Sequence, residues 1–540
     1  VLARLPELKP QQLVEITRRH GQGEFAEAAL DYAKDRKARS GSGEWANFDL
    51  GELMAAAVGA QPADDEAPAS GERRPLRVAT LITSDHGGAG IGSQRRVEAL
   101  RRAGVDNQIH CLFKKTDKAH VHKVAPMQHH PSEQALRAAW RDAGVLTKAE
   151  MPGLLAREMF SKTGTVVDFG SLWSVIDRAD IVHLHWMSGM FDFANAGILA
   201  DKPVAWTLAD MNAFSGGCHY SEGCTEYRNE CRNCPLLPKG SDLAHRAWKT
   251  KRDAYSKIKN LHIICPSQWL ADRVRESSLL GDRPVHALPN ALPVNRFTPI
   301  NRMVARRALS LPLNRKLIIF GADNLTNSRK GGDILAESLN HLRAMGQLKN
   351  VEGVYFGASN LDLGIKGHNM GHVSDDAKMS LIYAAGDVFA FPSREDNAPL
   401  TVVESMLSGT PVVGFPVGNV SELVDHMSTG YIARHGDAKD FAQGLAWALR
   451  DVEHADTVDR SLRCHLKARA HNDPDTSVTR HLAVYAEMLK GSERYYDAIS
   501  LRYDFRQARA RGVSVAPARM KLADILAQQT GTRKPQPQPA

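Results

Sequence analysis

Short hydrophobic runs recur along this chain, each ending in a polar or glycine-rich turn and followed by a stretch of helical spacing. The first is Leu76–Ile82, and Gln108–Leu112, Ile181–His185, Pro203–Thr207, Leu261–Cys265 and Val285–Leu288 follow it. Runs this short and this continuously apolar predict strands buried on both faces, and their alternation with helices predicts parallel sheets. A Pro- and Asn-punctuated stretch, Leu288–Pro299, breaks the pattern. It restarts with Lys316–Phe320, Val351–Phe356, Asp387–Phe391, Pro411–Phe415 and Tyr431–Ala433. Two such series predict an α/β chain of two Rossmann-like, doubly wound domains facing a cleft.

The flanks read differently. Helix-like spacing over Pro10–Arg19 and Glu24–Lys37, weaker over Leu50–Val58, predicts a helical N-terminal extension across residues 1–58. Residues 59–75 are an aperiodic Ala/Pro/Asp/Glu/Gly linker. The first domain then spans 76–300 and the second 301–475, followed by a crossover helix at 476–490. Residues 491–540 form a basic, polar tail ending in TRKPQPQPA and expected to be partly disordered.

At 540 residues the chain exceeds a single core, and 43% apolar with 24% charged residues suits a globular enzyme. No apolar run approaches the roughly 18–20 residues that cross a bilayer. Residues 1–20 also lack the apolar centre of a secretory signal, so a cytoplasmic protein is expected. The net charge is +8, but no basic stripe interleaved with aromatics accompanies it, which argues against a nucleic-acid partner. Anionic substrates, or peripheral contact with the inner face of an anionic membrane, fit that charge better.

Two segments of the second domain carry the chemistry. In Phe320–Asp333 (FGADNLTNSRKGGD) a strand ends in a polar loop, and Arg329, Lys330, Gly331 and Gly332 open a helix. Cations beside a helix start, with glycines allowing close backbone approach, suit a diphosphate; a solvated basic turn would read the same. In Ala390–Gly409 (AFPSREDNAPLTVVESMLSG) Asp396 lies in a loop and Glu404 on the helix after it. Loop amides near Asn397, Ala398, Pro399 and Leu400 would face an anion at the carboxyl end of the sheet. A helix cap with a surface glutamate is the plainer alternative.

Together these segments resemble family-4 retaining glycosyltransferases of the GT-B fold. The resemblance rests on Asp396, seven residues, Glu404, then Gly409–Thr410–Pro411–Val412–Val413. Leu288–Pro289–Asn290 followed by Arg296–Phe297–Thr298–Pro299 adds to it. It covers roughly residues 76–490. It implies a nucleotide-sugar donor, a carbohydrate, lipid-linked or protein acceptor, and no cofactor for catalysis. Glu404 would bind the donor ribose, Asp396 sugar hydroxyls near the reacting carbon, and Lys330 the diphosphate. The arginine usual after the domain's first strand is replaced by Ala322–Asp323–Asn324, so Arg329 would take over that charge.

In the first domain, Asp85–Ser93 partly imitates a dinucleotide fingerprint, but Ser93 stands where Gly88-x-Gly90-x-x-Gly needs glycine. The second strand runs into Phe113–Lys114–Lys115 without a ribose-binding acid, which argues against a dehydrogenase. In the related transferases this loop, with Gly88 and Gly90, faces the donor diphosphate. Relatives carry histidine where this chain has Ala209, so His185 or His219 would supply the sugar-contacting imidazole, beside Asp210. Four cysteines, Cys218, Cys224, Cys231 and Cys234, fall within residues 216–235. Their clustering suggests a structural zinc bracing the loop of Asp210 and His219; two disulfides or buried thiols are the alternatives. Cys111, Cys265 and Cys464 read as ordinary buried thiols.

The reading is thus a retaining, metal-independent glycosyltransferase for cell-surface polysaccharide or glycolipid. Alternatives are a sugar-nucleotide epimerase, a phosphorylase with lysine-bound pyridoxal phosphate, or a non-catalytic scaffold on a degenerate transferase core.

Overall fold

The computed structural model describes residues 13, 33, 36–37, 74–146, 159–321, 327–357, 363–450 and 454–510. The predicted helices of the extension, the linker, Ala322–Asp323–Asn324 and the terminal TRKPQPQPA lie largely or wholly outside them. Within the extension only Leu13, Ala33, Arg36 and Lys37 are described, all helical. The chain divides into compact units at 1–74 and 75–540, and the second carries both sheets.

The first sheet holds β1 (Arg77–Ser84), β2 (Asp106–Phe113), β3 (Val121–Lys123), β4 (Ile181–Leu184), β5 (Pro203–Thr207), β6 (Asn260–Cys265) and β7 (Val285–Ala287). Their order is β3-β2-β1-β4-β5-β6-β7, and β1 pairs in parallel with both β2 and β4. Helix α1 (Gly87–Arg102) connects β1 to β2, α2 (Glu133–Gly144) and α3 (Trp173–Arg178) precede β4, and α4 (Leu243–Tyr255) and α5 (Gln268–Arg275) flank β6. The reversal of strand order at β1 and β4 opens a crevice at their carboxyl ends, where such folds bind ligands.

After α6 (Arg302–Ala308), the second sheet uses β8 (Lys316–Gly321), β9 (Val351–Phe356), β10 (Gly367–Asn369), β11 (Val388–Phe391), β12 (Val412–Gly414) and β13 (Gly430–Ile432). The order is β10-β9-β8-β11-β12-β13, all parallel. Helices α7 (Gly332–Ala344), α8 (Asp376–Ala385), α9 (Leu400–Leu407), α10 (Val420–Leu423) and α11 (Ala438–Leu449) cover it. Gly409 (φ 84°) ends α9, and Ser461 and Pro299 leave no room for a Cβ there. The two doubly wound domains anticipated from the hydrophobic pattern are both present.

The chain then doubles back. Helix α12 (His454–Asn472) packs on α9, and Asp473 caps α13 (Pro474–Met488) by accepting the Thr476 amide at 2.9 Å. Proline at the first position of α13 suits a helix start, where its missing N–H costs nothing. α13 buries Val478, Leu482 and Tyr485 against Val78, Leu100 and Ile181 of the first domain. Part of the expected tail is ordered, since α14 (Tyr495–Ala510) packs on α13 and buries Ala498 and Phe505. No helix among the described residues is long and apolar enough to cross a membrane.

Candidate active site

The second domain contributes the carboxyl ends of β8 and β11. Asn327 accepts the Arg329 amide at 2.9 Å and caps a single 3-10 turn, Ser328–Lys330. The helix expected to open with Arg329 and Lys330 starts later, at Gly332. Gly331 (φ 73°) makes the turn between, lying so close to the Pro392 carbonyl that a Cβ would overlap it. That contact sets both cations against the loop of Asp396. Asp396 Oδ2 accepts from Lys330 Nζ at 2.7 Å and Arg329 Nη1 at 3.3 Å, and Oδ1 from the Asn397 amide at 2.9 Å. Burial raises the Asp396 pKa, but Lys330 and Arg329 overcome it and hold the carboxyl below its ordinary value. Arg329 also donates to the Glu395 carbonyl at 2.8 Å and lies 4.1 Å from the Tyr220 ring centre.

Glu404 sits on α9, facing the same cleft. It accepts from Arg95 Nη1 of α1 at 3.3 Å and from Tyr383 OH at 3.4 Å. Burial lifts its pKa to about 7, with Arg95 opposing. Arg95 also reaches Asp376 at 3.3 Å, so one first-domain arginine joins two second-domain carboxylates. Asn397 is a second tie: its Oδ1 accepts from Ser267 Oγ at 2.7 Å, and its Nδ2 donates to the Ala209 carbonyl at 2.9 Å. Ala398, Pro399 and Leu400 line the cleft.

On the first-domain wall, α1 starts within the glycine run itself. Gly88 lines the cleft with open space beside it. Gly90 packs instead on the Asp85 backbone, too closely for any Cβ, so its role is to let α1 approach β1. Asp210 faces the cleft, accepting from Trp186 Nε1 at 3.0 Å and pairing with His219 Nδ1 at 2.6 Å. Burial raises the Asp210 pKa, but His219 and the donors around it prevail and hold it low. His219 stands behind Asp210, its other ring nitrogen on Ser161 Oγ at 2.8 Å. His185 lines the cleft as a neutral ring, its pKa driven well down by burial and by Arg96.

All seven cysteines are free thiols. Cys218, Cys224, Cys231 and Cys234 line one small cavity together with Glu226. Among the described residues no three of these thiols lie within 4.8 Å of one another; the group that does converge is His262, His286 and Glu487. Burial raises the thiol pKa values, that of Cys231 to about 11. The Cys-rich segment also docks on the second domain. Glu395, unnoticed in the sequence, accepts the Glu222 amide at 2.9 Å and the Ser221 amide at 3.4 Å. Its partners lie more than 170 positions away, and no local spacing signals such a contact.

Two parallel α/β domains facing a cleft, with a crossover helix returning to the first domain, form the GT-B architecture. Residues 315–451 match the family of glycosyl transferases group 1. A putative colanic acid biosynthesis glycosyl transferase, WcaC, of Escherichia coli is 26% identical over 39% of this chain and 52% of its own length. The chain thus spans about half of that relative. A D-inositol 3-phosphate glycosyltransferase of Xylanimonas cellulosilytica is 25% identical over 76% of this chain and 93% of its own. Among solved structures, Anabaena HepE in complex with UDP and glucose superposes with a TM-score of 0.51. It is 14% identical and covers 76% of this chain and all of its own, a likeness of fold.

Proposed function

We propose that the chain moves a sugar from a nucleotide-diphosphate sugar to an acceptor hydroxyl, retaining the anomeric configuration, in cell-surface polysaccharide or glycolipid assembly. The observation carrying this is the convergence of Lys330 and Arg329 on Asp396 in a cleft shared with Asp210 and Glu404. Glu404 binds the donor ribose, and Asp396, Asn397 and the start of α9 bind the sugar and diphosphate. The bond from the anomeric carbon to the phosphate oxygen breaks as the acceptor oxygen bonds from the same face. The acceptor proton passes to the departing phosphate. Lys330 and Arg329 stabilise the charge growing there, so the chemistry runs without a metal ion. Asp210, oriented by His219, and His185 position the acceptor side, with Gly88 at the diphosphate. The acceptor is a carbohydrate, lipid-linked or protein hydroxyl, reached in the cytoplasm or at the inner membrane face.

Support comes from the names of similar proteins: colanic acid assembly in one, UDP and glucose in another. The test is a screen of nucleotide sugars in chelator, with the product anomer read by NMR. Transfer with retention is expected; inversion, or a need for Mg²⁺, would count against it, and sugar isomerisation without transfer would indicate an epimerase. The Cys-lined cavity is the seat of the proposed structural zinc. A tetrahedral site draws thiolates to about 3.8 Å apart, given Zn–S near 2.3 Å, and metal analysis is expected to find about one equivalent per chain. Metal-free protein of full thermal stability would make the four cysteines a plain thiol cluster.

A further inference from the structure

Arg96 of α1 is 2% exposed and has no carboxylate partner among the described residues. Its Nη2 donates to Asn290 Oδ1 at 2.9 Å and its Nη1 lies 3.2 Å from His185 Nδ1. The contrast is Arg306, equally buried, whose Nη2 pairs with Asp387 at 2.7 Å. The rings around Arg96 supply no negative charge: burial drives His183 and His185 well down in pKa, so both are neutral, which spares repulsion without compensating the guanidinium. A buried charge without a counter-ion is strongly unfavourable and persists where something else depends on it.

The surrounding polar atoms show what is missing. Arg96 Nη1 can only donate, so His185 Nδ1 accepts and the ring proton sits on Nε2. His185 Nε2, Arg96 Nε and Ser93 Oγ are all buried without a partner, and all three residues line the cleft. Each of the three has a hydrogen to donate and none has an acceptor. We infer that Arg96, His185 and Ser93 form an anion-binding position on the first-domain wall, filled by a phosphate or carboxylate group of a substrate. The group belongs either to the donor diphosphate or to an acidic acceptor. The names of these two sources rest on the proposed transfer reaction; binding of the anion itself does not.

Orthophosphate is titrated by calorimetry into the full chain, into Arg96→Gln and into Ser93→Ala, with and without saturating uridine or guanosine diphosphate. Wild type is expected to bind orthophosphate, Arg96→Gln at least tenfold more weakly and Ser93→Ala several-fold more weakly. Phosphate that still binds beside the nucleotide assigns the position to the acceptor. Phosphate displaced by a nucleotide whose own affinity falls tenfold in Arg96→Gln assigns it to the donor. Wild type that ignores orthophosphate, or affinities within twofold of wild type in both variants, overturns the inference. Should Arg96→Gln fail to fold, Ser93→Ala, which keeps the guanidinium, decides. Phosphate binding in a protein inactive on every nucleotide sugar would sink the transferase reading alone, and active transferase with flat titrations would sink only this one.

Discussion

Glu404 and Asp396 share one cleft wall but hold their protons differently. Asp396 has two cations at hand and stays ionised, whereas Glu404 has one arginine at 3.3 Å and a pKa near 7. A ribose bound through its hydroxyls prefers the ionised acceptor, so nucleoside diphosphate affinity is expected to rise from pH 6 to 8. Glu404→Gln should flatten that slope, and Glu404→Ala should cost about 1.5–3 kcal/mol of binding in calorimetry. Without ligand the sign reverses. The folded state holds the Glu404 proton more tightly than the unfolded chain, so this group's contribution to stability is complete below pH 4.5. It is lost as pH rises through about 7. Thermal melts of wild type against Glu404→Gln across that window check it. Lys330→Ala is expected to lower kcat roughly hundredfold while KM changes little, because charge on the leaving diphosphate grows toward the transition state. A raised KM at constant kcat would mean ground-state binding instead.

Among elements, the Cys-rich segment depends on contacts that its own sequence does not announce. Glu222 (φ 48°) and Cys231 (φ 51°) occupy the left-handed region, which is unfavourable for residues with a Cβ. The Glu222 amide is held by Glu395, and Cys231 Sγ accepts the Gly216 amide at 3.1 Å. Glu395→Ala leaves two amides unanswered and is expected to cost about 1–3 kcal/mol, lowering the melting temperature by a few degrees. An unchanged melt would show the dock to be incidental. The long central strands were legible because parallel sheets need continuous apolar runs. The three-residue edge strands β3 and β10 were not, since VHK and GHN bury little and carry no period. Helix α14 escaped because its anchors, Ala498 and Phe505, are seven positions apart within a polar stretch. Asp396 and Glu404 could be picked out by spacing and resemblance. Arg95 and Glu395 could not, as each finds its partners in the opposite domain.

For the molecule as a whole, polar ties among the described residues span the cleft: Arg95 to Glu404 and Asp376, Asn397 to Ser267 and Ala209, Glu395 to Ser221 and Glu222, the Gln268 amide to Glu422, and Arg329 on the Tyr220 ring. These ties are largely buried, but polar contacts can be exchanged for water where an apolar seam cannot, so this arrangement can open to admit a donor. Arg95→Ala combined with Glu395→Ala is expected to enlarge the radius of gyration by small-angle scattering. Nucleoside diphosphate should restore most of the difference. Identical scattering for wild type and the double variant would mean that other contacts set the angle between the domains.

The return of α13 to the first sheet also bears on how the polypeptide is made. Leu76, Val78, Ile181, Ala205 and Ile264 are translated before the second domain, yet Val478, Leu482 and Tyr485, which share their cluster, leave the ribosome only after it. His183 waits as long for the Tyr485 hydroxyl that meets its Nδ1 at 2.7 Å. The first domain therefore emerges with one face of its sheet incompletely covered, while the second domain has all it needs to close once α11 and α12 are out. Order of synthesis and order of completion are inverted, and through that interval the nascent first domain is a natural client for chaperones.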